Sequence, residues 1–257
     1  MSGRHEPGGA ACAWSGGNES WSSASPTVLV GIPAYNEADT IDAVVRDALA
    51  VADAVVVVDD GSDDATVPRA RDAGAVVVEH DHNRGYGAAL GTLFDEAVRR
   101  SPDHLVIVDG DGQHDPSDVP RLVDRQRQSG AEIVIGSRFA EGASTNAPLY
   151  RRFGLFVINW LVNLSLGRGR HGSRITDTQS GLRAYDPQAI RTLATTEQLG
   201  QLMDASIDIL YVAASNDFSI SEVGVEIRYD VPAANTDHPI LHGISLVGTV
   251  LRNTFRT

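Results

Sequence analysis

Short apolar runs alternate with amphipathic stretches through the first half of the chain. Thr27 to Ile32, Ala54 to Val58, Ala75 to Glu79, Leu105 to Val108 and Ala131 to Ile135 are dominated by Val, Ile and Leu. Runs of this kind predict strands buried on both faces of a parallel sheet. The stretches between them have helical spacing and helical punctuation. Asn36 is placed to cap a helix to about Ala50, with Val44, Val45 and Leu49 on its inner face. Asp63 and Asp64 open a second helix to about Ala73, where acids suit the N-terminus and Gly74 follows as a stop. Ala88 to Arg100 forms a third. Asp115-Pro116 starts a fourth, to about Gln128, with Gly130 behind it. The pattern predicts an α/β fold, a Rossmann-like, mostly parallel sheet flanked by helices.

The second half is less regular. Pro148 to Leu166 reads as an amphipathic helix, followed by a polar loop, Gly167 to Thr176, that holds Arg168, Arg170, His171 and Arg174. Helices are expected at about Pro187–Ala194 and Asp204–Ser215. A strand pair is expected near Ser219–Val223 and Val225–Tyr229, then an exposed loop from Asp230 to Pro239 and a terminal helix from Ile240 to Phe255.

In a parallel sheet the strand ends share one edge, so their polar sequels can converge. These are Pro33–Glu37, Asp59–Asp60, Asp109–Gln113 and Gly136–Arg138. Leu105-Val106-Ile107-Val108 runs straight into Asp109-Gly110-Asp111, outside the carboxyl end of its strand, where open α/β sheets bind ligands. Two carboxylates one residue apart make a seat for a hard divalent cation that also grips a diphosphate. The plainer alternative is a solvated acidic turn.

Composition narrows the setting. The formal net charge is −13, with 34 acidic residues, and all 21 basic residues are Arg. The absence of Lys and the abundance of Asp point to adaptation to a high-salt cytoplasm, which makes the charge a weak guide to partners. Nucleic-acid binding, which wants a basic face, is disfavoured. The single cysteine, Cys12, excludes a disulfide framework within the chain and suits a reducing compartment. No window approaches the roughly 20 apolar residues of a membrane span. Met1 to Ser25 lacks the apolar centre of a signal peptide and is rich in Gly, Ser and Ala, so residues 1–26 are expected to be disordered.

The ordered series IPAYNE, VVDDGSDD, NRGYGAA, VDGDGQH, GSR and DTQSGLRAY, over Val28 to about Tyr185, resembles the family 2 glycosyltransferases of the GT-A fold. Within that family it is most similar to the dolichyl-phosphate mannose and glucose synthases. NRGYGAA and the tail RYDVPAANTDHP lean toward glucosyl-type members. The resemblance implies a GT-A domain over residues 27–230 and a membrane-proximal loop and helix over 231–257. It implies inverting transfer of a hexose from a nucleotide sugar, UDP-glucose first and GDP-mannose second, to dolichyl or polyprenyl phosphate.

The resemblance also implies residue roles. Pro33, Tyr35 and Glu37 would meet the nucleoside, as would Asp59 or Asp60, with the choice between these two open. Asp109 and Asp111 would hold the metal with Gln113 beside them. All donors are oxygen, so Mg²⁺ or Mn²⁺ is expected rather than zinc. His114 is expected at the surface. Arg138 would face the acceptor phosphate, because a guanidinium grips phosphate oxygens bidentately. Arg183 and Arg228 would join it, and His238 falls where relatives place a lysine. Pro148 to Leu166 could lie flat on a membrane surface, with Arg151, Arg152, Arg168 and Arg170 near head groups, or could simply cover the sheet. A peripheral enzyme at the cytoplasmic face of the cell membrane is the implied setting, its oligomeric state open. Two rivals stand beside this reading. One is a glycosyltransferase with a soluble acceptor, using Asp177 or Asp204 as base. The other is a nucleotide-sugar-binding protein without turnover.

Overall fold

The computed structural model describes residues 27–145, 149–166, 174–196 and 205–228. The expected disordered segment 1–26, Arg168, Arg170, His171, Asp204, His238 and the C-terminal loop and helix lie outside the described residues.

The first half follows the apolar pattern closely. Strands β1 (Val28–Ala34), β2 (Ala54–Asp59), β3 (Val76–Glu79), β4 (His104–Ile107) and β5 (Ile133–Ser137) alternate with helices α1 (Ile41–Leu49), α2 (Thr66–Asp72), α3 (Tyr86–Arg100) and α4 (Val119–Ser129). The second half contributes β6 (Ser144–Thr145), α5 (Leu149–Ser165), β7 (Arg183–Tyr185), α6 (Pro187–Ala194), α7 (Ala205–Ser215), β8 (Ile220–Gly224) and β9 (Glu226–Ile227).

The main sheet has seven strands in the order β3-β2-β1-β4-β7-β5-β8. All are parallel except β7, which runs antiparallel to both β4 and β5. Alternate residues of each strand feed two apolar layers. Val56, Val58, Leu105 and Ile107 face α3, α6 and α7, whereas Val55, Val57, Val106 and Val108 face α1, α2 and α4. On the first face Phe94 of α3 meets Tyr185 of β7 edge-on, with ring centroids 5.1 Å apart. With both faces covered, the central parallel strands β2, β4 and β5 are rich in Val, Ile and Leu.

Four details differ from the sequence-based expectation. Asn36 does not cap α1. It sits at φ 57°, and its side-chain oxygen accepts from Asp63 N, while α1 begins four residues beyond the Asn36-Glu37 peptide at Ile41. The fourth helical stretch starts as a 3₁₀ turn, Pro116–Asp118, where Asp115 caps Ser117 N. The last two strands are not a hairpin: β8 pairs with β5, and β9 pairs with β6 in a separate two-stranded ladder. Strand β7 was not expected at all. Three residues are too few to show a period, and they lie inside a polar motif.

Candidate active site

The sheet's carboxyl edge gathers the motifs through short polar links. Asn36 N donates to Ser62 Oγ and Glu37 N to Thr66 Oγ1, both at 2.8 Å, and Ala38 N donates to Asp64. The loop after β1 is thereby stitched to the loop after β2. Tyr35 stands exposed at its tip, the geometry of an aromatic that can lie against a base. Behind it, both acids after β2 are buried. Asp59 accepts from Ser62 N and Ser62 Oγ. Asp60 takes His80 Nδ1 at 2.6 Å and the backbone N–H groups of Arg84 and Gly85. His80 is fixed in turn by Thr92 Oγ1 at 2.9 Å. Asp60 is therefore spent on shaping the loop before α3.

The Asp-x-Asp stretch leaves β4 against this frame. Thr40 Oγ1 donates to Gly110 O at 2.7 Å, and a Cβ at Gly110 would stand 3.3 Å from Pro33 O and 3.4 Å from Glu37 Cγ. The missing side chain lets the loops after β1 and β4 touch, which brings Glu37 up to the two aspartates. Tyr86 donates its hydroxyl to Asp109 Oδ1 at 3.0 Å. On the other oxygen, a Cβ at Gly181 would fall 2.1 Å from Asp109 Oδ2, so only glycine fits beneath that carboxylate. Asp111 accepts from Gln113 N at 2.9 Å, and Gln113 O accepts from Arg228 N. Arg228 lies half exposed beside this loop and pairs with Asp115 at 3.2 Å.

Crowded acids hold their protons. Burial, then the charge of Asp111, pushes Glu37 up to about 7. Burial, then the charge of Asp109, pushes Asp111 up to about 6. Burial also raises Asp109, against the pull of Tyr86, Arg183 and Arg138. Carboxylates that resist ionising together are what a divalent cation stabilises. Among the described residues no three His, Cys, Asp or Glu side chains form a cation cage. Two aspartates with Gln113 beside them instead resemble an open oxygen seat, completed by phosphate oxygens and water, which suits Mg²⁺ or Mn²⁺.

His114 is not a surface residue. It is 6% exposed, because an isolated bridge to Ile227 folds its segment under β9. Its Nε2 stands 3.6 Å from Asp109 Oδ2, and burial lowers its pKa to about 4.

The residues expected on the acceptor side take a different form. Arg138, at the end of β5, makes a bidentate pair with Asp177, Nε to Oδ2 at 2.7 Å and Nη2 to Oδ1 at 2.6 Å. Its backbone N–H also donates to Asp177. Asp177 has no exposed surface, and although burial acts to raise its pKa, the Arg138 guanidinium holds it below the usual carboxylate range. Asp177 is thus held ionised and ion-paired to Arg138. Arg183 is also not where the resemblance implied. It is 1% exposed and donates to the carbonyls of Ser180, Ser206 and Thr178, so it fastens the loop before β7 instead of meeting a ligand.

The segment 175–178 is held from two sides. Glu222 of β8 accepts from the N–H groups of Thr176 and Asp177. From α5, Asn159 Nδ2 donates to Thr176 O at 2.6 Å, and its Oδ1 accepts from Thr178 N and Oγ1. Asn163 exchanges both hydrogen bonds with the Ile175 backbone, at 2.8 and 2.9 Å. Tyr86, Gly181, Asn159 and Asn163 all support the site without a signal in residue spacing. Tyr86 and Gly181 do lie inside the NRGYGAA and DTQSGLRAY motifs.

The sequence matches the profile described as Glycosyl transferase family 2 over residues 29–193. It is 30% identical over 226 residues to the UDP-N-acetylglucosamine–dolichyl-phosphate N-acetylglucosaminyltransferase of Methanococcus voltae, covering 80% of this chain and 87% of the relative. It is 33% identical over 198 residues to the dolichyl-phosphate hexose transferase of Haloferax volcanii, covering 76% and 79%. Among solved structures, glucosyl-3-phosphoglycerate synthase from Mycobacterium tuberculosis, in complex with Mn²⁺, UDP and glucosyl-3-phosphoglycerate, shares the fold with a TM-score of 0.67. That pair is 23% identical, and the match covers 90% of this chain and 81% of the other. The motif order at the sheet's edge, the profile and the relatives agree: the chain belongs to glycosyl transferase family 2 and has the GT-A fold.

Proposed function

We propose that the protein transfers a hexose, with inversion, from a nucleotide diphosphate sugar to dolichyl or polyprenyl phosphate, with UDP-glucose as its first donor. The observation that carries this reading is the gathering of Glu37, Asp109 and Asp111, whose burial and mutual repulsion hold Glu37 and Asp111 near neutral pKa values. Such a site calls for a cation and, through it, a diphosphate. A Mg²⁺ or Mn²⁺ there would neutralise the leaving diphosphate. Asp109, Asp111 and Gln113 would hold it. Pro33, Tyr35 and Glu37 form the nucleoside side, with Asp59 or Asp60 as its acid; both are buried and hydrogen-bonded.

The acceptor phosphate is anionic near neutral pH and needs no strong base. Its oxygen forms the bond to the anomeric carbon as the bond from that carbon to the diphosphate oxygen breaks, and the electron pair leaves with the nucleotide. The chain's contribution is alignment and charge. Arg138, fixed in direction by Asp177, orients the acceptor phosphate. A soluble hydroxyl acceptor would need a general base; Asp177 is ion-paired with Arg138, and Asp204 lies outside the described residues. The two archaeal relatives named for dolichyl-phosphate transfer support the lipid reading. Choice of glucose rests on the glucosyl-type motifs.

The lipid tail needs an apolar surface, and α5 presents one: Phe153, Phe156, Trp160 and Leu164 are all exposed. No helix among the described residues is long and apolar enough to cross a membrane. The reading is of a peripheral enzyme at the cytoplasmic face.

The test is a panel of UDP-glucose, UDP-N-acetylglucosamine and GDP-mannose with a short-chain polyprenyl phosphate and Mn²⁺ or Mg²⁺. Metal-dependent formation of a glycosyl phospholipid, best with UDP-glucose, is expected. Transfer to free sugars but not to lipid phosphate would overturn the acceptor. Donor binding without turnover under any condition would leave a binding protein.

A further inference from the structure

Helix α5 has two opposed functional faces. Phe153, Phe156, Trp160 and Leu164 form its outer stripe, at helical spacing, and are 47–70% exposed. Leu155, Asn159 and Val162 form its inner stripe, each under 9% exposed, with half-buried Asn163 beside them. The inner amides do not hold another helix. They hold residues 175–178, by backbone groups and the Thr178 hydroxyl, apart from one bond from Asn163 Nδ2 to Asn159 O. The middle of that segment is Asp177, which fixes Arg138 by three hydrogen bonds. Two contacts therefore separate the outer surface of α5 from the arginine assigned to the acceptor phosphate.

The occupant of the outer face is argued from charge. In a chain with 34 acidic residues, α5 has none. Arg152 and Arg174 are exposed at its rim, and the Arg174 guanidinium stacks 5.9 Å from the Phe156 ring. An apolar stripe edged by arginines and cleared of carboxylates complements the head-group and acyl boundary of an anionic bilayer.

We propose that α5 transmits contact with an anionic lipid surface to Arg138, with Asn159 and Asn163 as the positioning residues of the link. The proposal rests on the lipid-phosphate reading above. Helix α5 is a rigid element whose tilt is set on one face by the bilayer and read on the other by two amides. Docking settles the helix and, through residues 175–178, the direction in which Asp177 presents Arg138. An acceptor in the bilayer then meets a pre-aligned arginine, whereas the donor seat on β1 and β4 is untouched.

The test uses the full chain with phosphatidylglycerol vesicles carrying a polyprenyl phosphate, compared with a short, water-soluble prenyl phosphate without vesicles. Asn163→Ala, and Asn163→Asp, which loses both donated bonds and sets a carboxylate against the Asn159 and Ile175 carbonyls, should raise the KM for vesicle acceptor by about tenfold, as expected for a misaligned reactant. Vesicle sedimentation and the KM for nucleotide sugar should stay at wild-type values. Trp160→Ser should lose sedimentation and vesicle transfer together, with the KM for nucleotide sugar at its wild-type value. In the wild type, hydrogen exchange at residues 175–178 should slow when vesicles are added, a readout that needs no variant. Unchanged exchange at 175–178 in sedimenting protein would overturn the link, as would equal changes in donor and acceptor KM. Failure of wild-type protein to sediment with vesicles would overturn the lipid occupant. Failure of the wild type to use either prenyl phosphate would instead overturn the proposed function, and the exchange experiment would still decide the link.

Discussion

The proposed donor side and the proposed acceptor side of this site are built by different means. On the donor side, Glu37, Asp59, Asp109 and Asp111 project from the ends of β1, β2 and β4, which are parallel neighbours with residues from one end of the ladder to the other in register. The apolar core places those ends, and short bonds from Ser62, Thr66 and Thr40 finish the loops. On the acceptor side, Arg138 owes its direction to Asp177, whose segment hangs from Asn159, Asn163, Glu222 and Arg183. These links join positions as much as 46 residues apart and pair side chains with backbone. The donor side also has such links, one of them spanning 70 residues, but there they finish what packing has placed, whereas on the acceptor side they do most of the positioning. Packing tolerates single changes better than a buried polar network does, where each lost partner leaves another group unsatisfied.

The sharpest way to break the comparison is to remove one acid from the donor side. Asp111→Ala should lower turnover by about a thousandfold, in the upper range for deleting one electrostatic contact. The same change relieves repulsion on Glu37, so the metal-free protein should melt no lower than wild type. Melting curves beside kinetics check both halves of that statement; a large loss of stability would mean that the acid is structural. On the acceptor side, Arg138→Ala should do the reverse. It leaves Asp177 charged and buried, a cost of about 3–5 kcal/mol for a broken buried pair. Acceptor KM should rise more than donor KM in whatever protein folds. Adding Asp177→Asn should recover much of the stability and none of the acceptor affinity, as denaturant titration and kinetics would report.

Gly181→Ala sits where the two halves touch. It must displace the Asp109 carboxylate, so Mn²⁺ affinity measured by calorimetry in the presence of UDP should fall by about tenfold or more, with overpacking costing about 1–3 kcal/mol. Tyr86→Phe, which deletes one hydrogen bond to the same carboxylate, should weaken Mn²⁺ by a smaller factor, about fivefold. An unchanged Mn²⁺ titration in both variants would remove Asp109 from the metal seat.

The smallest expected effect is in pH. Asp111 and Glu37 ionise near 3.8 and 4.5 ordinarily and at about 6 and about 7 in the folded chain. The folded state thus binds more protons across that window, and metal-free stability declines as pH rises through it. A cation binds the ionised form, so its stabilisation should grow with pH. The rise in melting temperature on adding Mn²⁺ should be greater at about pH 8 than at about pH 5 by a few degrees. An equal shift at both would contradict the crowded-acid account.

The same division explains what could be read from the sequence. Strands β1 to β5 and their helices were legible because the Val and Ile runs and the Gly74 and Gly130 stops are local signals. The Asp-x-Asp seat was legible as chemistry because a strand run points straight into it. Helices α5 and α6 carry amphipathic patterns and were also predictable. What escaped depends on distant partners. Asn36 has the composition of a cap but is recruited by Asp63 of the next loop. His114, polar and next to a helix start, looks like surface, yet the pairing of its segment with Ile227 buries it. Arg183 resembles an anion binder until three carbonyls from elsewhere in the fold are seen to consume its donors.

Strand β7 has a bearing on how the chain comes to be assembled. Strands β4 and β5 are consecutive parallel strands, yet neither hydrogen-bonds the other; the slot between them is filled by Arg183–Tyr185 running the opposite way. A nascent chain that has emerged only as far as Ser137 has five strands in two disconnected pieces, β3-β2-β1-β4 and a lone β5. Closure waits for three residues that arrive some 46 positions later, and with them Gly181 reaches Asp109. Pairing of the first four strands needs no residue beyond Ile107, whereas the sheet becomes continuous only once β7 is in place.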